Sequence, residues 1–382
     1  VQIVPPLDAE IAEAIKATPP ADQVPMNDDL IEAVDPRDEY VACASALASG
    51  EASAREDLRI VLTAMHGVGA AITSRVLAEA GFSNVSLVAA QTDPDPDFPT
   101  VPFPNPEEAG ALDMAIEQAR EQGADLIIAV DPDADRCALA VPDPTSETGW
   151  SPLSGDQIGS LLGEFLASRG MKGSLANSIV SSRLLSRIAS AHGLEHHTTL
   201  TGFKWIARAP GLGFGYEEAI GFCPDPGNVR DKDGIATSVV AASLVAALKA
   251  QGRSVWDELE RLARLHGLHV SSPLTFRVEQ IEQIASGMAR LRAQPPSVLA
   301  GSPVVEVSDL SQGYRGLPPT DGVLVLTEAG DRVIARPSGT EPKLKCYLEV
   351  ILPAPEGEPV PWEAARERLE LIKREFGQII GL

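Results

Sequence analysis

Apolar positions along this chain keep two rhythms, and the alternation between them outlines the fold. Residues 59–65 form a continuous apolar run too short for a helix, which reads as a buried strand. His66-Gly-Val-Gly69 then turns the chain into residues 70–80, where apolar side chains recur at helical spacing. A second strand at 85–90, a Pro- and Asp-rich loop at 93–106, a helix at 107–122 and a strand at 125–130 follow. Strand, glycine turn, helix and strand again is the pattern of a parallel α/β sheet, whose ligand loops lie at the carboxyl ends of strands. A looser version succeeds it: a helix at 157–168, a strand at 178–182, a helix at 184–192, a turn-rich stretch at 201–204 and a strand–loop at 214–222. Two helices, ending near 248 and 266, complete that unit. From about residue 271 the pattern becomes a helix at 279–293, several alternating strands and a last helix at 362–380. The fold class expected is α/β: two consecutive α/β mixed-sheet domains followed by a smaller α+β C-terminal domain. At the other end, residues 1–6 read as an apolar strand ending in prolines, followed by a short helix at 8–18 and a link through Pro36.

The 382 residues suggest two to four domains. The longest apolar stretch, 235–248, is interrupted by Thr237, Ser238 and Ser243, and reads as a buried helix rather than a membrane span. Fifty-four acidic against thirty-one basic residues give a net charge of −23. That balance argues against nucleic acid and against anionic membranes as partners. It leaves room for a small anion gripped by a local cluster of cations. Cys43, Cys137, Cys223 and Cys346 are scattered, with no zinc spacing, and fit a reducing, cytoplasmic setting.

Two loops stand out against this background. Arg336-Pro-Ser-Gly-Thr-Glu-Pro-Lys-Leu-Lys345 lies between two alternating runs and packs Arg336, Ser338, Gly339, Thr340 and Lys345 into ten residues. Hydroxyls, backbone N–H groups and fixed positive charge are what a phosphate dianion needs. Asp131-Pro-Asp-Ala-Asp-Arg136 directly follows the buried strand at 125–130. Carboxylates at i, i+2 and i+4 can converge on one hard cation if the backbone turns through the proline, and oxygen-only ligation suits Mg²⁺. Arg136 would steer a phosphate there. Weaker signals come from Glu217 and Glu218, which can accept bonds from vicinal sugar hydroxyls in a bent loop. Gly202, Lys204 and Lys232 put cations beside glycines, an arrangement that favours anions. His66, after a buried strand, reads equally as a proton shuttle or ligand contact, supporting catalysis with Arg136, and as a structural turn residue. Ser181 and Ser182 read as strand-end hydroxyls.

Taken together, these loops resemble the α-D-phosphohexomutase superfamily, the phosphoglucomutases and phosphomannomutases, from Gln2-Ile-Val-Pro-Pro6 to the final helix. The resemblance implies Mg²⁺ on Asp131, Asp133 and Asp135, and sugar hydroxyls on Glu217 and Glu218. It also implies the non-reacting phosphate on Arg336, Ser338, Gly339 and Thr340. Thr201-Gly-Phe-Lys-Trp-Ile206 and Lys232-Asp-Gly-Ile235 resemble the phosphoglucomutase/phosphopentomutase branch, which favours glucose over mannose and leaves pentose open. The implied reaction moves phosphate between C1 and C6 of a hexose phosphate through a phosphoserine, with hexose 1,6-bisphosphate as intermediate and primer. The family's serine-bearing loop lies upstream of the Gln-Ile-Val-Pro-Pro segment and has no match here.

Residues 1–36 are therefore expected to be the end of a first domain plus linker. Residues 37–150 would be a metal-binding, 151–270 a sugar-binding and 271–382 a phosphate-binding domain. The chain alone is expected to be inactive without a missing N-terminal domain or polypeptide. A sugar-phosphate-binding remnant is the non-enzyme alternative. A haloacid-dehalogenase-type phosphatase also places Asp-x-Asp after a buried strand, but Asp135 stands where that family has Thr or Val.

Overall fold

The computed structural model describes residues 2–338 and 342–381. Contacts within the chain group into two compact units. The first comprises Val1–Leu153, Phe203–Arg208 and Gly221–Ala250; the second comprises Ser154–Gly202, Ala209–Ile220 and Gln251–Leu382.

In the first unit, a five-stranded sheet runs in the order Asn84–Leu87, Arg59–Thr63, Leu126–Val130, Cys137–Pro142, Trp150–Pro152. Arg59–Thr63 pairs in parallel with both neighbours, and the last two strands join antiparallel. Every side chain of Leu126–Val130 is buried, which is why that strand is apolar throughout rather than alternating. Helices Ala70–Glu79 and Asp113–Gln122 follow the strands as expected. The second begins six residues later than the apolar rhythm suggested, because residue 110 is a glycine at φ +81° that breaks the preceding turns. Gly234–Ala250 is the buried apolar helix anticipated, with Thr237, Ser238 and Ser243 folded in. Thr237 and Ser238 satisfy their hydroxyls on backbone carbonyls one turn back. Helices Arg37–Ser45 and Ala52–Asp57 were not foreseen.

Residues 2–4 are not a strand. No described strand lies beside them, Pro5 and Pro6 donate no N–H, and the Gln2 amide bonds the Asp231 carboxylate at 3.0 and 2.9 Å. Helix Leu7–Ala17 buries none of its residues.

The second unit holds a parallel set in the order His196–Thr199, Ser174–Ser178, Leu212–Glu217. The strand expected at 178–182 thus lies four residues earlier, and 179–182 form the turn leading into helix Leu184–Ala191. Six further strands form an antiparallel sheet in the order Leu268–Arg277, Lys343–Leu352, Arg332–Pro337, Val323–Thr327, Ser302–Asp309, Val298–Leu299. One face of it carries Val333, Ala335, Leu344, Cys346, Leu348 and Val350 into a core with helix Trp362–Ile380. That helix supplies Ala365, Leu369, Ile372, Phe376 and Ile380, spaced three or four apart along a single stripe. The architecture is therefore the mixed α/β and α+β arrangement read from the sequence. Among the described residues, no single helix is long and apolar enough to cross a membrane.

Candidate functional site

In the first unit, the acidic loop leaves the buried strand Leu126–Val130 and is shaped by backbone packing. A Cβ on Gly67 would lie 2.3–2.6 Å from the Pro132 backbone, and one on Gly69 would lie 2.7 Å from Ala134 Cβ. A Cβ on Gly234, at the start of the buried helix, would lie 2.3 Å from the Arg136 carbonyl oxygen. Only glycine fits these three places. The Val68 N–H donates to the Pro132 carbonyl at 2.9 Å, and Ala134 takes φ +59°. So confined, Asp131, Asp133 and Asp135 bring carboxylate oxygens within 4.8 Å of one another.

Asp131 is buried and accepts from the Arg136 N–H at 2.9 Å, with the Arg136 guanidinium 3.7 Å from its other oxygen. Burial, reinforced by the charges of Asp135 and Asp133, pushes its carboxyl up to about 6. Asp135 pairs through Oδ2 with the Lys232 ammonium at 2.9 Å, while its Oδ1 is buried and accepts no hydrogen bond. Three mutually repelling carboxylates with an orphaned buried oxygen fit a divalent cation, and an all-oxygen donor set fits Mg²⁺. A cleft lined by Phe103, Asn105, Asp131, Asp133 and Arg136 opens in front of the loop.

His66 belongs to the turn beside this loop, at φ +62°, with its Nε2 bonded to the Thr100 hydroxyl at 2.8 Å. Lys232 stands with the acidic loop, its ammonium also 5.7 Å from the centre of the Phe203 ring. Lys204 lies in the short helix Phe203–Ile206 of this unit, whereas Gly202, at φ +108°, belongs to the second unit.

In the second unit, Arg336 and Lys345 are direct cross-strand partners in the antiparallel pair Arg332–Pro337 and Lys343–Leu352. The hairpin is longer-armed than the sequence suggested: both cations sit on strands, and the Ser338 N–H closes the ladder on the Lys343 carbonyl at 2.9 Å. Gly339 and Thr340 lie outside the described residues. The face that carries Arg336 and Lys345 also carries Tyr347, two residues along. Burial raises the Tyr347 hydroxyl above its ordinary range, as do the nearby carboxylates Glu218 and Glu217, while Arg336 opposes them. Tyr347 also packs against the cluster that holds Ile179 and Val180, so the turn after strand Ser174–Ser178 lies beside the basic hairpin of this unit.

Glu218 is anchored by hydroxyls from the end of strand Ser174–Ser178 and from the turn after it. Ser178 and Ser181 donate to its Oε2 at 3.1 and 3.0 Å. Glu217, the last residue of strand Leu212–Glu217, is buried. Gly155 permits this approach, since a Cβ there would lie 2.0 Å from the Glu218 carbonyl oxygen. Tyr347 and Ser178 were missed at the level of sequence, and Ser181 was read as a strand-end hydroxyl without its carboxylate partner. Their only signal was alternation on the strand that bears Lys345 and a serine-rich strand end.

Comparison with known proteins identifies the family. Residues 38–145, 154–265 and 277–358 match, in order, the descriptions "Phosphoglucomutase/phosphomannomutase, alpha/beta/alpha domain II", "alpha/beta/alpha domain III" and "C-terminal domain". A Haemophilus influenzae protein named "Probable phosphomannomutase" is 43% identical over 359 residues, covering 91% of this chain and 71% of that protein. A Staphylococcus haemolyticus phosphoglucomutase is 36% identical over 320 residues, covering 78% of this chain and 58% of its own length. The chain belongs to the phosphoglucomutase/phosphomannomutase family. Its fold is shared with a Paramecium phosphoglucomutase crystallised in an open form, at TM-score 0.68 and 19% identity, over 92% of this chain and 64% of that one. The present chain thus spans less than two thirds of the staphylococcal and Paramecium proteins.

Proposed function

We propose that the chain supplies the metal-, sugar- and phosphate-binding parts of a hexose-phosphate mutase that moves phosphate between C1 and C6. The observation that carries this reading is the convergence of Asp131, Asp133 and Asp135, with a buried unpartnered oxygen on Asp135, in a chain of this family. Mg²⁺ held by these three would offset charge on a phosphoryl group. Arg136 beside them steers the phosphate. Glu217 and Glu218 accept bonds from vicinal sugar hydroxyls, supported by Gly202 and Lys204. Arg336, Ser338, Gly339, Thr340 and Lys345 hold the phosphate that is not reacting, and Lys232, beside the acidic loop, is a further phosphate-binding cation. His66 orients the turn on which that loop rests.

No serine of this chain is assigned as the phosphate carrier, so the chain alone is proposed to bind and not to turn over. The complete enzyme would use hexose 1,6-bisphosphate as primer. The names of the relatives divide between mannose and glucose; glucose is proposed on the Thr201–Ile206 segment. Calorimetry with Mg²⁺ and with glucose 6-phosphate and mannose 6-phosphate tests the binding, with glucose 6-phosphate expected to bind tighter. Assay of both hexose 1-phosphates with added bisphosphate tests the rest. Turnover by this chain, with phosphate trapped on one of its own serines, would overturn the assignment of the carrier.

A further inference from the structure

We propose that Arg332 is a positioning residue that holds the carboxylate of Glu218 in place against the Arg336 hairpin of the same unit. The inference rests on the roles just given to Glu218 and Arg336. Arg332 opens the strand that carries Arg336, four residues earlier and on the same face, roughly 13 Å away along the strand. It is almost fully buried, and it directs its guanidinium at one turn. Its Nη1 donates to the Ile179 carbonyl at 2.9 Å, and its Nη2 donates to the carbonyls of Val180 and Ser181 at 3.3 and 2.7 Å.

Three successive carbonyls bent round one guanidinium define the shape of that turn. From the same turn, the Ser181 hydroxyl donates to Glu218 Oε2 at 3.0 Å and accepts the Glu218 N–H at 3.2 Å. A single residue therefore separates the buried arginine from the sugar-loop carboxylate.

Arg332 also takes part in a buried ion pair. Glu349 is the cross-strand partner of Arg332, yet their charged groups stand 3.4 Å apart. That carboxylate is already served by the Arg183 guanidinium at 2.5 Å, the Ser182 hydroxyl at 2.7 Å and the Arg183 N–H at 2.8 Å. The shorter contacts of Arg332 go to the turn. A planar fork can reach three carbonyls together where an ammonium cannot, so lysine is not an equivalent.

The test uses wild type, Arg332→Met, Arg332→Lys and Ser181→Ala. Hydrogen exchange in the absence of ligand should quicken at residues 178–182 and 217–220 in all three variants, while strands Arg332–Pro337 and Lys343–Leu352 stay protected. Ser181→Ala leaves the buried Arg332 charge in place and keeps the test open if Arg332→Met folds poorly. Unchanged protection at 217–220 in Ser181→Ala and Arg332→Lys overturns the clamp whether or not any sugar phosphate binds. By calorimetry, glucose 6-phosphate affinity should fall about tenfold or more in Arg332→Met, the worth of a charged hydrogen-bond network. Inorganic phosphate affinity should hold within about twofold, because Arg336 is untouched. Equal loss of both ligands would mean general damage and would also overturn the proposal. Absence of any glucose 6-phosphate binding by wild type would instead sink the functional reading beneath it.

Discussion

The acidic loop of the first unit and the basic hairpin of the second are both clusters of like charge, and the fold holds them together by different means. Asp131, Asp133 and Asp135 are forced into one place by close packing, against backbone at Gly67 and Gly234 and against the Ala134 side chain at Gly69. Arg336 and Lys345 are brought together by strand register, each opposite the other in an antiparallel ladder. Close backbone approach leaves no room for change in the neighbours that impose it. Register tolerates almost any side chain and fixes only where each one points. Substitutions should therefore act through shape at the first cluster and through charge at the second.

The largest effect is expected at Gly67. Its backbone does not need glycine for its dihedral angle, but a methyl group there would overlap the Pro132 backbone at 2.3–2.6 Å. Gly67→Ala should cost about 2–4 kcal/mol as an overpacked site. That corresponds to roughly 5–15 °C in midpoint by thermal unfolding. It should also abolish measurable Mg²⁺ binding although no carboxylate has been removed. Retained Mg²⁺ affinity in a folded Gly67→Ala protein would show that shape does not govern this loop.

Arg336→Ala comes next. Removing one charged donor from a phosphate is worth about 2 kcal/mol, or roughly thirtyfold in affinity. Calorimetry should find that loss for glucose 6-phosphate and an unchanged Mg²⁺ constant. The thermal midpoint should barely move, because register survives the change. A large loss of stability would place Arg336 with the glycines, as a residue of shape.

Asp133→Asn tests the acidic loop through charge alone. Loss of one anionic ligand should weaken Mg²⁺ about tenfold, with the midpoint unchanged or slightly raised as repulsion falls. The pH dependence should change with it. In the wild-type loop Asp131 titrates at about 6, so below that pH it carries a proton the cation must displace. Apparent Mg²⁺ affinity should fall about tenfold between pH 7 and pH 5, and Asp133→Asn should move that fall to lower pH. An identical pH profile in both proteins would mean that the carboxylates do not share one field.

How much of this was legible in the chain follows the same division. Charge and period are local, and they were readable: the three aspartates after an all-apolar strand, the cations at 336 and 345, and the stripe on helix Trp362–Ile380. Partners far apart in sequence were not. Lys232 sits 97 residues after Asp135 and bonds it at 2.9 Å, a pairing that no local pattern announces. Strand Ser174–Ser178, Ser-Leu-Ala-Asn-Ser, has no β-branched residue and one large apolar side chain, so its register slipped toward the more apolar 178–182. Cys137–Pro142 joins the first sheet antiparallel, and small residues such as Ala138 and Ala140 carry little period to announce it. Arg332 looked like one more polar position in an alternating strand, because nothing in its surroundings names the turn it clamps.

Lys345→Gln should have the smallest effect and sharpens the comparison most. Cross-strand partners lie about 5 Å apart at Cβ, so Arg336 and Lys345 repel each other when no anion is bound. Both are partly exposed, which limits that repulsion to a few tenths of a kcal/mol at low salt and nearly nothing at high salt. Lys345→Gln should therefore raise stability by about 0.3 kcal/mol at low ionic strength, a gain that vanishes as salt is added. Phosphate affinity should fall only about threefold, because lysine acts as a point charge and Arg336 keeps its forked donors. Gain in stability and loss in affinity must disappear together along the salt series, since both come from one charge. A stability gain that persists at high salt would mean that glutamine packs better than lysine against the Tyr347 face. The hairpin would then answer to shape as the acidic loop does.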